Sequence, residues 1–336
     1  MMNSGLLKIK KHYLIGGLKN TWEKVCVVNC HVKPTQYYSY FRFLSVAFYS
    51  NHLMSHWRVL YFHFSNGVDD CIVPLVINEK KRLIRGMSNY GRLDYEDVIS
   101  STNDKDFLYE GLKAAFGRYE GYEIQIENVN ESSLLYGLFG QKMEWFEKCV
   151  SIDMTDSYDH YVSTLSKHQR QNIRTAYNKI QKESFDIRLV QYDAHHPISH
   201  DLWKKCQIMY EQRHGSKGSC WRLWKERQLN PYTHILHSAE GWRILVLFHN
   251  EEPISYVAGL YSENQNCYYV PRLCINNQFS RYSPGIVLLN EVVKVLIDEG
   301  VRYFDLMRGD EPYKTAMGGF VHNNYKLRCK VEELLD

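Results

Sequence analysis

The chain has 336 residues, enough for two domains of ordinary size, each with its own hydrophobic core. Hydrophobic residues make up 44% and charged residues 24%, which excludes wholesale disorder. A net charge of +3 lies far from the strongly basic balance of a nucleic-acid binder, so no nucleic-acid partner is expected.

In chain order, the first half begins with an aromatic-rich helix over 38–49. Strands follow over 57–64, 71–77 and 82–87, rich in Val, Ile and aromatic residues. A helix over 107–116, a strand over 122–127, a short helix over 132–139 and a strand over 143–152 complete it. The second half opens with helices over 158–165 and 167–182, then a strand over 186–191. Helices are expected over 202–213 and 221–227. Three strands then run in succession over 242–248, 254–261 and 267–275, separated by polar turns. A helix over 285–299, closed by Gly300, leads to a strand over 301–307. Three antiparallel strands, a crossover helix and a returning strand make a mixed α/β sheet, and the domain boundary is expected between 153 and 154.

The nine cysteines include no Cys-x-x-Cys pair, and His195, His196 and His200 have no ligand partners at zinc spacing, so no metal is expected. Scattered thiols without a disulfide pattern fit a cytoplasmic protein. No apolar run approaches the roughly 18–20 residues of a membrane helix.

Four segments carry candidate chemistry. Ser283 and Pro284 are good N-cap and N1 residues, so the N–H groups of Gly285, Ile286 and Val287 are expected to lack helical partners and to suit an anion, with Arg281 beside them. The same residues also make an ordinary well-capped helix. In the strand exit Phe304–Lys314, Asp305 and Asp310 can accept a proton, while Tyr313 and Lys314 can steady developing negative charge; a salt-bridged turn accounts for them equally well. Lys167, Arg170 and Arg174 share one face of a helix, fit to hold an anionic group or simply to face water. The polar, aromatic loop Ser88–Asp97 includes Tyr95, and the helix over 202–213 ends at Arg213; both residues join Arg170 and Arg174 as candidates for holding a substrate.

Three stretches together resemble GNAT-type acyltransferases of the CelD-like group, relatives of the Fem aminoacyltransferases. They are the basic helix Leu165–Arg174, the helix start Tyr282–Leu289 and the strand exit Tyr303–Lys314. The resemblance implies two tandem GNAT-like domains, 1–153 and 154–336, each a mixed, mostly antiparallel sheet flanked by helices, with catalysis in the second. It implies acyl transfer to an amine, such as an amino sugar or saccharide precursor, from acetyl-CoA or a longer acyl-CoA. The Fem branch implies aminoacyl-tRNA as donor instead, and a non-catalytic binding module on the same fold is the third reading. By the same resemblance, Lys314 falls at the lysine of the Fem-type Phe/Tyr-Lys motif. The backbone of Ser283–Val287 falls where GNAT enzymes hold the CoA pyrophosphate. The sequence departs from that loop in keeping one glycine, Gly285, and it carries Asn276 where relatives carry an acid.

Overall fold

Two runs of β-branched and aromatic residues, β2 (Trp57–Ser65) and β3 (Asp70–Asn78), are joined by a turn in which Asn66 Oδ1 accepts the N–H groups of Val68 and Asp69. Gly67 supplies the positive φ of +91° that this turn needs. The computed structural model describes residues 7–29, 31–52, 55–90, 93–214 and 241–336. The chain divides into two compact units: Met1–Lys148 with His322–Asp336, and Cys149–Val321.

The first unit contains β1 (Lys8–His12), α1 (Lys19–Val28), α2 (Tyr38–His52), the β2/β3 hairpin, β4 (Leu83–Gly86), β5 (Ile99–Ser100), α3 (Lys105–Phe116), β6 (Glu123–Asn130) and α4 (Leu134–Phe139). Its strands run in the order β1-β2-β3-β4-β6, every pair antiparallel except β4–β6, with α3 as the crossover. Gly111 of α3 lies where a methyl group would fall 2.1 Å from the Phe64 ring, so glycine lets this helix settle onto the sheet. Beneath it Leu60, Phe62, Phe64, Leu112 and Phe116 form the core. On the other face Trp22 of α1 packs on Phe41 and Tyr61 and donates its Nε1–H to the Gln36 carbonyl at 2.9 Å.

The second unit follows from β7 (Met143–Asp153), whose last residues open it. Then come α5 (Tyr158–Thr164), α6 (Lys167–Lys182), β8 (Arg188–Tyr192), α7 (His200–His214), β9 (Trp242–His249), β10 (Glu252–Ser262), β11 (Cys267–Ile275), α8 (Pro284–Asp298), β12 (Tyr303–Arg308) and α9 (Pro312–Ala316). The strand order is β7-β12-β11-β10-β9-β8, antiparallel throughout except β11–β12, which α8 joins as a crossover. Ile173, Ala176 and Ile180 of α6 and Val287, Val292 and Leu296 of α8 share one core with Leu245, Val257, Tyr268 and Phe304. Trp203, Cys206 and Met209 of α7 are buried, and Trp203 packs edge-on against Tyr256 of β10. The mixed, mostly antiparallel α/β architecture expected from the sequence is the one observed.

The last segment, β13 (Phe320–Lys330) and α10 (Val331–Leu335), was placed with the second half by the sequence. From His322 onward it belongs to the first unit, where β13 pairs antiparallel with β6. Leu327, Val331 and Leu334 are at most 2% exposed and complete the core beneath α3. The helix expected over 221–227 and Cys220 lie outside the described residues. No helix among the described residues is long and apolar enough to cross a membrane.

Candidate active site

The second unit's sheet opens between β11 and β12, and local sequence accounts for it. β11 and β12 pair through Cys267–Tyr303, Tyr268–Phe304 and Tyr269–Asp305, and their ladder then stops. At that level β11 bulges: its register against β10 moves from Tyr269 opposite Leu260 to Arg272 opposite Ala258, so Val270 and Pro271 face Gly259 alone. Pro271 has no N–H to continue a ladder. A methyl at Gly259 would lie 2.0 Å from the Tyr269 carbonyl oxygen, so the close approach of the two strands requires glycine. β12 bulges at the same level, its register against β7 moving from Asp305 opposite Ser151 to Arg308 opposite Cys149. Met307 takes a left-handed φ of +58°, held by Asp305, whose Oδ1 accepts the Met307 N–H at 2.7 Å. Two parallel strands thus part into a slot at the carboxyl end of the sheet, a favoured position for ligands in α/β folds.

At the head of this slot stands the start of α8. Ser283 is the N-cap residue, but it is left-handed (φ 52°, ψ 51°) and its hydroxyl makes no cap. Its carbonyl instead takes the N–H groups of both Ile286 (3.0 Å) and Val287 (3.2 Å). The expected set of three backbone donors for an anion is corrected accordingly: two of them are spent inside the first turn. A methyl at Gly285 would stand 3.4 Å from Ile275, an ordinary contact, so packing does not demand glycine there. Arg281 is bound to Glu183 at 2.8 Å, and the Tyr282 hydroxyl donates to the same carboxylate at 2.6 Å. The Tyr282 hydrogen bond and then Arg281 hold the Glu183 carboxyl below its usual range. The Tyr282 ring stacks on Phe185, and Phe185 on His249, at 3.8 and 3.6 Å. With Gln278 and Phe279 these residues line an open cavity of about 700 Å³.

The exit of β12 brings together the residues singled out there. Lys314 is 3% exposed, and its Nζ donates to the carbonyls of Arg308 (2.5 Å) and Gly309 (3.1 Å) and to Glu311 (2.9 Å). Gly309 turns the chain at φ +93°, with the Glu311 carboxylate where a side chain would stand. Asp305 is buried, Asp310 exposed, and Tyr313 half-buried against the core.

The basic helix is divided in its use. Arg170 Nη1 donates to the carbonyls of Ser163 (3.1 Å) and Leu165 (2.5 Å), closing the end of α5, whereas Lys167 and Arg174 are exposed. Tyr95 belongs to the first unit and is 1% exposed, with Lys33 Nζ 4.0 Å above its ring. Arg213 lies in the last turn of α7, its side chain outside the described residues. The sequence reading passed over Arg272, 3% exposed on β11 just beyond the bulge, with its guanidinium 3.9 Å over the Tyr210 ring. The signal was present: Arg272 is the one charged residue in the strand Cys267–Ile275. No group of metal-ligating side chains occurs among the described residues.

Residues 167–315 match the family described as acetyltransferase (GNAT) domain. No curated protein matches the chain significantly. Among solved structures, the chain is similar to the C-terminal domain assigned to a lysylphosphatidylglycerol synthetase from Agrobacterium fabrum (TM-score 0.60, 10% identity, covering 96% of this chain and 94% of that one). It is similar also to FemX (TM-score 0.60, 9% identity, 94% and 96%) and to L-PGS from Bacillus licheniformis (TM-score 0.50, 13% identity, 78% and 81%). At such identities these likenesses establish fold alone. The matched residues 167–315 include β11 and β12, the strands that part to form the slot.

Proposed function

We propose that the second unit transfers an acyl group from acetyl-CoA or a longer acyl-CoA to an amine, with the reacting carbonyl in the slot between β11 and β12. The carrying observation is the paired bulges at Val270–Pro271 and Leu306–Met307, which end the ladder on both strands at one level. Strands that cease to pair turn backbone donors and acceptors toward whatever enters between them. A thioester laid there is held in extended form, and donors along the strand edge can stabilise the oxyanion formed when an amine attacks. Asp310, exposed at the slot's end, takes the proton released by the amine, and Tyr313 returns one to the departing thiolate. Asp305 is a positioning residue, since its carboxylate fixes Met307. Lys314 holds the exit turn through three acceptors and reaches an oxyanion only by giving up Glu311, the partner of the three that is 55% exposed. Arg272, the buried cation beside the slot, and the exposed Arg174 are the groups proposed to orient an anionic acceptor, an amino sugar or saccharide precursor. Scattered thiols, with no disulfide among the described residues, favour a cytoplasmic site of action.

One observation favours a second donor class. With the Ile286 and Val287 donors already bound, the start of α8 offers less to a pyrophosphate than the CoA reading wants, and an aminoacyl ester donor makes no such demand. Calorimetric titration with acetyl-CoA, a medium-chain acyl-CoA and free CoA separates the two. Affinity for the acyl forms near 1 µM, about −8 kcal/mol, supports the thioester donor. Absence of binding to all three sinks it, and charged tRNA becomes the next donor to test. Failure there too leaves a binding module on a transferase fold.

A further inference from the structure

The two units share one strand arrangement, four antiparallel strands followed by a parallel one reached through a crossover helix, yet they differ at the position of the slot. In the first unit the equivalent pair is β4 and β6. Their ladder runs through Leu83–Glu123, Ile84–Ile124 and Arg85–Gln125 and also stops, at Gly86. Here the space beyond is filled by the chain itself. Beyond β4 the chain comes back alongside β6: Glu96 bridges Val129 in the parallel sense, and its N–H reaches the Asn128 carbonyl at 2.8 Å. Three residues later, β5 pairs with Cys71 and Ile72 of β3. Residues 96–100 therefore lie between β3 and β6 as a detached continuation of β4.

Side chains pin this insert on both sides. Ser88 donates its backbone N–H to Glu96 Oε2 at 2.6 Å and its hydroxyl to the Glu127 carbonyl at 2.7 Å. The Asp97 carboxylate accepts the N–H groups of Leu134 and Leu135, both at 2.9 Å. Asn128 donates to the Leu93 carbonyl, and Asn324 to that of Asp94. Leu93, Tyr95, Glu96, Val98, Ile99 and Ser100 are all at most 2% exposed.

We infer that residues 96–100 seal the first unit's donor slot, so that each chain takes up a single acyl donor, in the second unit. This rests on the β11/β12 slot being the donor site. The test is the stoichiometry of acetyl-CoA and medium-chain acyl-CoA binding to the full chain, read by calorimetry and by amide hydrogen exchange with and without ligand. One equivalent is expected, with new protection confined to the segments 270–275 and 305–308. The Glu96 and Ile99 amides should exchange within about tenfold of the Ile126 amide in either state, as members of one sheet. Two equivalents, or donor-induced protection at 96–100, overturns the seal while leaving acyl transfer standing. If neither acyl-CoA binds, the thioester reading falls, and exchange in the free chain decides the seal: slow amides at 96–100 support it, and amides exchanging as fast as an exposed loop overturn it.

Discussion

Glu96 shows how a side chain's environment reverses the usual pH behaviour of a carboxylate. Burial pushes its carboxyl up to about 7, against the Ser88 hydrogen bonds that favour the charged form, and burial pushes Asp97 up to about 6. Both values lie above the ordinary 4.5 and 3.8, so the folded protein binds more protons than the unfolded chain between them. The stabilising contribution is complete below pH about 4 and is lost as pH rises through 6 to 7. Thermal melts of the first unit should therefore weaken from pH 5 to pH 8, by up to about 3 kcal/mol from Glu96. Glu96→Gln should flatten part of that slope; a variant with the same slope as the parent would show that Glu96 does not titrate in the fold. Gly259 makes the complementary point about a missing side chain. Gly259→Ala would set a methyl 2.0 Å from the Tyr269 carbonyl. It should cost about 3 kcal/mol or more and abolish donor binding, by forcing β11 off its bulge. Unchanged stability and affinity in calorimetry would remove the bulge from the account of the slot.

At the scale of elements, spacing gave reliable helices and strands but not the uses of their polar faces. The i, i+3, i+7 pattern put Lys167, Arg170 and Arg174 on one side of α6, and the helix is there. What spacing did not contain is that the end of α5 curls back to present two carbonyls to Arg170. Arg170→Ala should lower stability by about 1 kcal/mol and leave acceptor KM unaltered, whereas Arg174→Ala should raise it; a many-fold KM increase in the first variant would return Arg170 to the substrate. The strands β9, β10 and β11 were legible from their apolar runs and the polar turns between them, and the helix α8 from its apolar periodicity and the Gly300 that follows it. The slot was not, because it is a property of register between strands, set by Gly259 and by the left-handed Met307. Pro271 was its one local sign. The seal was less legible still: Ser88–Asp97 has the composition of a surface loop, and it is the bridge from Glu96 to Val129 of β6, with Ile99–Ser100 paired to β3 just beyond, that buries the insert. Lys314 stands at the strand exit by its place in the sequence, whereas its three acceptors come only from the structure.

For the molecule as a whole, the telling feature is that the first unit is discontinuous. Removing residues 322–336 takes away the strand beside β6 and three side chains buried in the core: Leu327, Val331 and Leu334. Each buried aliphatic side chain is worth about 1.5–3 kcal/mol, so the loss is of the order of a domain's whole stability. A chain ending at Val321 should lose the first unit's cooperative melt in calorimetry and become protease-sensitive between β1 and α4. A truncated chain that melts like the parent would mean that β13 is dispensable.

The discontinuity also orders events on the ribosome. When β6 has emerged, its partner has yet to be translated, because the whole of Cys149–Val321 stands between the two pieces of the first unit. At about 5–20 residues per second, that interval lasts roughly 9–35 s. Throughout it β6 is an unpaired edge of the kind that invites association with other chains. The second unit, continuous in sequence, can fold before the first is complete. The half of the chain made first is thus the half finished last, and the step that finishes it is the emergence of His322–Asp336.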